Sequence, residues 1–311
     1  MGSMATLNGT AEHSSSGAAR LRELLADQSQ VIVCPGVYDG LTARIAINAG
    51  FDCLYMTGAG TTASRLGMPD LGIATFNDMR DNAAMIAGLG STPLIADADT
   101  GYGGPIMVGR TVQQYMRAGV AGLHLEDQVQ SKRCGHLAGK ELVDEETYVS
   151  RIKAAVIARE QSAGDIVIIA RSDALQSLGY EAAVRRLQMA TKAGADVAFL
   201  EGFTTIEQGR QVCIDLAPTP VLLNMVSGGV TPQITASEAQ EMGLRIVIHP
   251  GFALGPVLTS VTDAAKELRE TGAINPGKNP MPPRALFEVC GLNHCIAFDK
   301  AAGGLTFNKG V

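Results

Sequence analysis

Apolar and polar positions fall along this chain in blocks. Four stretches share one phrase: "NAGFDCLYM" (48–56), "RAGVAGLHL" (117–125), "KAGADVAFL" (192–200) and "EMGLRIVI" (241–248). In each, a helix-like pattern runs out at a glycine and a short apolar run follows. Glycine ends a helix because it takes the left-handed conformation without a Cβ clash. The run after it has the length and β-branched character of a strand buried on both faces. Four more runs fill the gaps: "VIVCP" (31–35), "PLIADAD" (93–99), "IVIIARSD" (166–173) and "PVLLN" (220–224). Between them lie helical patterns such as "VGRTVQQYMRAG" and "GYEAAVRRLQMATKAG", and "TASEAQEMG" carries a capping-box pattern at Ser237 and Gln240.

Eight strands alternating with helices predict an α/β fold with parallel strands and right-handed crossovers. Eight such units favour a closed (β/α)8 TIM-like barrel over an open sheet. No Gly-x-Gly-x-x-Gly fingerprint follows the first strand, which counts against a dinucleotide fold. Residues 1–18 are polar and Ser-rich, open with "MGSM" like an expression scar, and read as a flexible segment. Residues 19–270 hold the barrel. Residues 271–311 hold a linker, "NPGKNPMPP", and a helical tail in which "RALFEVCGLNHCIAFDKAA" reads as a helix with Cys290 and Cys295 on different faces.

Composition narrows the function. A net charge of -6 lacks the basic footprint of a nucleic-acid binder. No apolar run reaches the roughly 18 residues a membrane span needs. Six cysteines scattered over 311 residues read as reduced thiols, so an intracellular, cytoplasmic enzyme is expected.

Barrel enzymes place their chemistry at the C-terminal ends of the strands. Those ends here supply Tyr55 and Thr57, Asp97 and Asp99, Glu126, Arg171, Glu201, Asn224 and Pro250 in turn. Asp97 and Asp99, two apart on a strand, are expected to point to one side. With Glu126 they form a carboxylate cluster without a lysine in the adjoining sequence. Such a cluster is costly unless a proton or a cation joins it. Hard oxygen donors favour Mg²⁺, or Mn²⁺, over zinc. The plainer alternative is that Asp97 and Asp99 cap the next helix. Arg171 offers a planar fork for a carboxylate, or forms a structural ion pair with Glu201 or Asp173. Cys134 lies between Lys132, Arg133 and His136 in a loop of about 15 residues, long enough for a lid. Those cations are expected to favour its thiolate, and its proton could serve general acid catalysis.

The motifs "GMPDLGI" (67–73), "DADTGYG" (97–103), "LEDQV" (125–129), "KRCGH" (132–136), "ARSDA" (170–174), "LEG" (200–202) and "LNM" (223–225) occur in order. Together they resemble the isocitrate lyase / phosphoenolpyruvate mutase superfamily over residues 20–270. The body of the chain is most similar to the fungal and plant branch that holds 2,3-dimethylmalate lyase, oxaloacetate acetylhydrolase and petal death protein. The resemblance implies a barrel whose C-terminal helix is exchanged between subunits of a homotetramer. It implies direct binding of Mg²⁺ by Asp97, with Asp70, Asp99 and Glu126 acting largely through water. It places Thr57, Gly58, Ala59, Lys132, Gly135, His136, Arg171, Glu201 and Asn224 around a small 2-hydroxy or 2-oxo dicarboxylate. Cys134 would protonate the enediolate left by carbon–carbon cleavage, and Tyr55, as tyrosinate, or a metal-linked carboxylate would be the base. Hydrolases of the branch place a serine near the end of the eighth strand, where this chain has Pro250. That implies a lyase for a methyl-branched malate, with 2,3-dimethylmalate first. Hydrolysis of oxaloacetate and cleavage of 2-methylisocitrate are the alternatives, and a catalytically silent binding barrel is the alternative of a different class.

Overall fold

The computed structural model describes residues 16–275, 277 and 280–307. The opening residues 1–15, with "MGSM", and part of the Pro-rich linker lie outside the described residues. Ser16 caps a first helix, α1 (Gly17–Ala26), by accepting from the N–H of Ala19. The chain then alternates. The order is β1 (Ile32–Val37), α2 (Gly40–Asn48), β2 (Leu54–Met56), α3 (Gly58–Leu66), α4 (Phe76–Ala87), β3 (Leu94–Asp97) and α5 (Pro105–Arg117). It continues through β4 (Gly122–Glu126), α6 (Glu145–Gln161), β5 (Val167–Ser172), α7 (Leu175–Leu178), α8 (Tyr180–Lys192), β6 (Val197–Leu200) and α9 (Ile206–Asp215). The last elements are β7 (Val221–Asn224), α10 (Ala236–Met242), β8 (Ile246–His249), α11 (Leu254–Thr271), α12 (Pro283–Val289) and α13 (Leu292–Ala301).

The eight strands form a closed parallel barrel in sequence order. It closes where Ile32 pairs with Ile246 and Cys34 with Ile248. Side chains alternate across this wall. Ile32, Cys34, Ile95, Val167, Ile169, Val197, Phe199 and Ile246 fill the interior. Leu54, Leu94, Leu123, Ile168 and Leu223 face the helices in a second, outer core. Each fully buried aliphatic or aromatic side chain contributes roughly 1.5–3 kcal/mol of transfer free energy. Leu21 of α1 is fully buried among the interior residues, and a Cβ on Gly122 would meet its Cδ2 at 3.0 Å. The interior is therefore packed from the α1 side, and its polar ends collect at the opposite mouth.

Two local expectations are corrected. The capping box before α10 pairs Thr235 with Glu238, not Ser237 with Gln240. Thr235 is the residue with extended backbone, and only it can reach the N–H three positions on. The tail is two helices rather than one: Gly291 stands at φ 93 between α12 and α13, a conformation no helix interior allows. No helix among the described residues is long and apolar enough to cross a membrane.

Candidate active site

At the barrel mouth β2 runs straight into α3. Thr57 caps that helix by accepting from the N–H of Gly60. Gly58 follows against the end of β3, where a Cβ would lie 2.2 Å from Asp97 Oδ2. The lack of a side chain at Gly58 is what lets the helix start and the carboxylate share one space. Asp97 accepts from the Asp99 N–H at 2.8 Å, and its own carbonyl accepts from the buried Tyr115 hydroxyl.

Asp99 corrects the expectation of strand alternation. The strand ends at Asp97, and Asp99 sits beyond it at φ 46, in the left-handed region. The two carboxylates converge through a turn. A lysine does neutralise them, from a distant part of the sequence. Lys132, only 4% exposed, stands 2.5 Å from Asp99 and 2.8 Å from Asp70. It sits among the carboxylates rather than with the Arg171 group. Burial alone would lower its pKa, but Asp99, Glu126 and Asp97 more than offset this and keep it protonated.

Glu126 ends β4 fully buried, and neither of its carboxylate oxygens has a hydrogen-bond partner. Burial pushes its pKa well above the ordinary carboxylate range, and it brings Asp99 up to about 6. Buried hard oxygens without a hydrogen bond, one of them facing Arg171 Nε at 3.5 Å, are what a divalent cation would satisfy. Among the described residues no three His, Cys, Asp or Glu side chains close around one point. The oxygens of Asp97, Asp99 and Glu126 are the hard donors a divalent cation such as Mg²⁺ takes.

Arg171 is the penultimate residue of β5 and lies 5.1 Å over the Phe199 ring. Its Nε and Nη2 donate to Asp173 at 2.9 and 3.0 Å, and Nη2 stands 3.2 Å from Glu201. Asn224, at the end of β7, donates to both oxygens of Glu201. His136 accepts at Nδ1 from the Val230 N–H and faces Glu201 through Nε2 at 3.2 Å. Burial would raise Glu201, but Arg171, His136 and Asn224 outweigh it and bring its pKa down to about 2.

The loop between β4 and α6 carries Cys134 over this group. Gly135 makes that approach possible, since a Cβ there would fall 2.3 Å from Arg171 Nη2 and 2.8 Å from Glu201. The thiolate expectation is corrected. Burial pushes the Cys134 thiol up, and Asp70 and Glu201 add to it, against the His136 N–H and Arg171, which pull it down. The neighbouring cations are turned elsewhere: Lys132 to Asp70 and Asp99, Arg133 to the Ala138 carbonyl, His136 to Glu201. A neutral thiol holds the proton a general acid must give. Beside the loop, a cleft of about 270 Å³ is lined by His136, Lys140, Tyr180, Glu201 and Gln208. Pro250 follows β8, its backbone packed on Gly36 of β1 at the same end of the barrel.

Sequence reasoning missed His124. It is fully buried in β4, with Nε2 2.9 Å from the Tyr55 hydroxyl and 3.5 Å from Asp97. Burial, then Arg171, lower its pKa to about 3, so it is neutral. Burial, then Asp97, raise Tyr55 far above its usual value, so Tyr55 stands as a phenol rather than a tyrosinate. Alternation in "GLHLE" was the available signal, because His124 shares the inward side with Glu126.

The family model described as phosphoenolpyruvate phosphomutase matches residues 21–269. The chain belongs to the phosphoenolpyruvate mutase / isocitrate lyase superfamily. It is a lyase of that superfamily. A 2,3-dimethylmalate lyase of Eubacterium barkeri is 42% identical over 246 residues, 79% of this chain and 84% of that protein. A crystal structure of 2,3-dimethylmalate lyase superposes with TM-score 0.93 at 58% identity, covering 95% of this chain and 98% of that one. Oxaloacetate acetylhydrolase with 3,3-difluorooxalacetate gives 0.92 at 54%, covering 94% and 99%. Phosphonopyruvate hydrolase, solved with oxalate and Mg²⁺, gives 0.81 at 27%, covering 92% and 98%. Enzymes of the superfamily are metal-dependent.

Proposed function

We propose that this chain is a Mg²⁺-dependent lyase that splits 2,3-dimethylmalate into pyruvate and propionate. The observation that carries the reading is the seating of the Cys134 loop on Arg171 and Glu201, across from the buried oxygens of Asp97, Asp99 and Glu126. The likeness to 2,3-dimethylmalate lyase supports it. Asp97, with Asp70, Asp99 and Glu126 through water, would hold Mg²⁺, or Mn²⁺ in its place. The ion supplies positive charge for the oxygens of the 2-hydroxycarboxylate. The α3 start at Thr57, Gly58 and Ala59 presents a hydroxyl and helix N–H groups to the same oxygens. Arg171, with His136, Glu201 and Asn224, binds the 2-oxo acid end.

A carboxylate of the cluster takes the C2 hydroxyl proton, while the neutral Tyr55–His124 pair fixes Asp97. The C2–C3 bond breaks, its electrons pass to the C3 fragment, and pyruvate forms. Cys134 gives its proton to C3 of the enediolate, yielding propionate. Pro250 has neither hydroxyl nor N–H to hold a hydrated ketone, and its ring suits a methyl group. That favours cleavage over oxaloacetate hydrolysis. The likeness to oxaloacetate acetylhydrolase supports the hydrolytic alternative.

The tail belongs to the same proposal. Leu258, Phe298 and Leu305 are 70%, 71% and 77% exposed on α11, on α13 and after it. An apolar groove of about 460 Å³ lies beside α11, lined by Leu41, Ala63, Leu254 and Val257 among others. A cytoplasmic homotetramer that exchanges these helices would cover them.

The test incubates the protein with Mg²⁺ and, separately, 2,3-dimethylmalate, 2-methylisocitrate and oxaloacetate. Pyruvate from dimethylmalate, with little oxaloacetate consumed, is expected. Rapid conversion of oxaloacetate to oxalate would transfer the assignment to the hydrolase, and sedimentation as a monomer would remove the tetramer.

A further inference from the structure

The loop that carries Cys134 holds a second buried lysine. The Lys140 side chain is 4% exposed, its ammonium donates to the Gly135 carbonyl, and it stands 3.4 Å from Asp173 Oδ1. Gly135 directly follows Cys134. Asp173 is the carboxylate that takes Arg171 in two parallel hydrogen bonds, and its Oδ1 is shared by Arg171 Nη2 and Lys140.

Asp173 is anchored in turn. Its N–H donates to Asp127 Oδ1, while Asp127 Oδ2 accepts from Ser172 Oγ and from Arg186. The other arm of Arg186 donates to the Val143 carbonyl at the far end of the loop. Tyr148 of α6 donates to the Arg171 carbonyl. A rigid, buried block therefore lies under the loop, and Lys140 is the loop's charged contact with it.

A buried ion pair contributes when both partners are desolvated together and further hydrogen bonds complete them. Lys140 meets both conditions only with the loop seated. If the loop lifts, the ammonium returns to water and Asp173 keeps Arg171 alone.

We propose that Lys140 is a positioning residue that latches the seated loop to Asp173, so that one carboxylate sets both Cys134 and Arg171. The inference rests on Cys134 being the acid of the lyase reading, and it deepens that reading by naming what holds the acid in place.

The experiment uses Lys140→Met, which keeps the aliphatic length without the charge, and Lys140→Arg, which keeps the charge. Iodoacetamide labelling of Cys134 is followed by peptide mapping without substrate, beside thermal melting, kcat and KM. In Lys140→Met, labelling at Cys134 is expected to rise about five-fold as the open population grows, with a fall in kcat larger than any rise in KM. Lys140→Arg should return labelling to within about two-fold of the wild type, because the charge still favours the seated state. Unchanged labelling in a folded Lys140→Met protein, or equal labelling in both variants, overturns the latch. Faster labelling in an otherwise intact protein without lyase turnover would sink the functional reading and leave the latch standing.

Discussion

Lys132 and Asp99 face each other at 2.5 Å, and the same ammonium lies 2.8 Å from Asp70. A residue from the Cys134 loop thus supplies positive charge inside a carboxylate cluster built by other parts of the chain. Removing one partner of a buried pair is costly because the other is left uncompensated, though carboxylates can soften the loss by taking up a proton. Lys132→Met should destabilise the metal-free protein by roughly 2 kcal/mol. Added Mg²⁺ should recover most of that loss. Thermal melts in EDTA and in Mg²⁺ decide this, and a deficit that Mg²⁺ leaves unchanged would mean that Lys132 serves packing alone.

Gly58→Ala places a Cβ 2.2 Å from Asp97 Oδ2. The carboxylate must shift while the helix remains. Mg²⁺ affinity should fall about ten-fold or more, a loss of roughly 1.4 kcal/mol, with unchanged circular dichroism. Calorimetric titration with Mg²⁺ measures it, and wild-type affinity would remove Asp97 as a ligand.

The raised Cys134 thiol carries a signature of its own. Alkylation needs the thiolate, so its rate at Cys134 should still be climbing past pH 9. A plateau below pH 8 would mean a stabilised thiolate and a different acid. Cys134→Ser should lower lyase turnover about 10²–10⁴-fold, the usual worth of a positioned proton donor.

Acid stability should report on Glu201. Its folded pKa, about 2, lies below its ordinary value of 4.5. The unfolded chain therefore binds the proton more readily, and the native advantage is complete above pH 4.5 and disappears as pH falls through about 2. Glu201→Gln, which cannot ionise, should flatten the stability curve across that window. Denaturant midpoints from pH 5 to 2 test the sign, and parallel curves for the two proteins would refute it.

Pro250→Ser restores a hydroxyl and an N–H at the end of β8. It should raise oxaloacetate hydrolysis relative to dimethylmalate cleavage by about ten-fold, since a hydrogen bond made only to the hydrated ketone separates the two reactions. Rates on both substrates give the ratio directly.

The barrel was legible because buried parallel strands must be short, apolar and bounded by helix-ending glycines. All eight runs became strands, with ends displaced by a few residues. Asp97, Glu126, Arg171, Glu201 and Asn224 were legible because a strand end at a barrel mouth has one address. The Asp99 turn was hidden, since a positive φ at an aspartate leaves no mark in an apolar pattern. Lys132 was read as a neighbour of Cys134 and of substrate, Lys140 was not singled out, and only the fold of the loop reveals which carboxylates they reach. His124 lay unnoticed among leucines, although its inward parity was there to be read.

The mouth holds Asp70, Asp97, Asp99, Asp173 and Glu201, with Glu126 pushed toward its protonated form by burial, against Lys132, Lys140 and Arg171. A doubly charged acid approaching that surface meets repulsion before it meets any donor. In the proposed function that surplus predicts an order of arrival, divalent cation before organic anion, so that raising substrate concentration is expected not to replace the cation; initial rates with both varied would read this order directly.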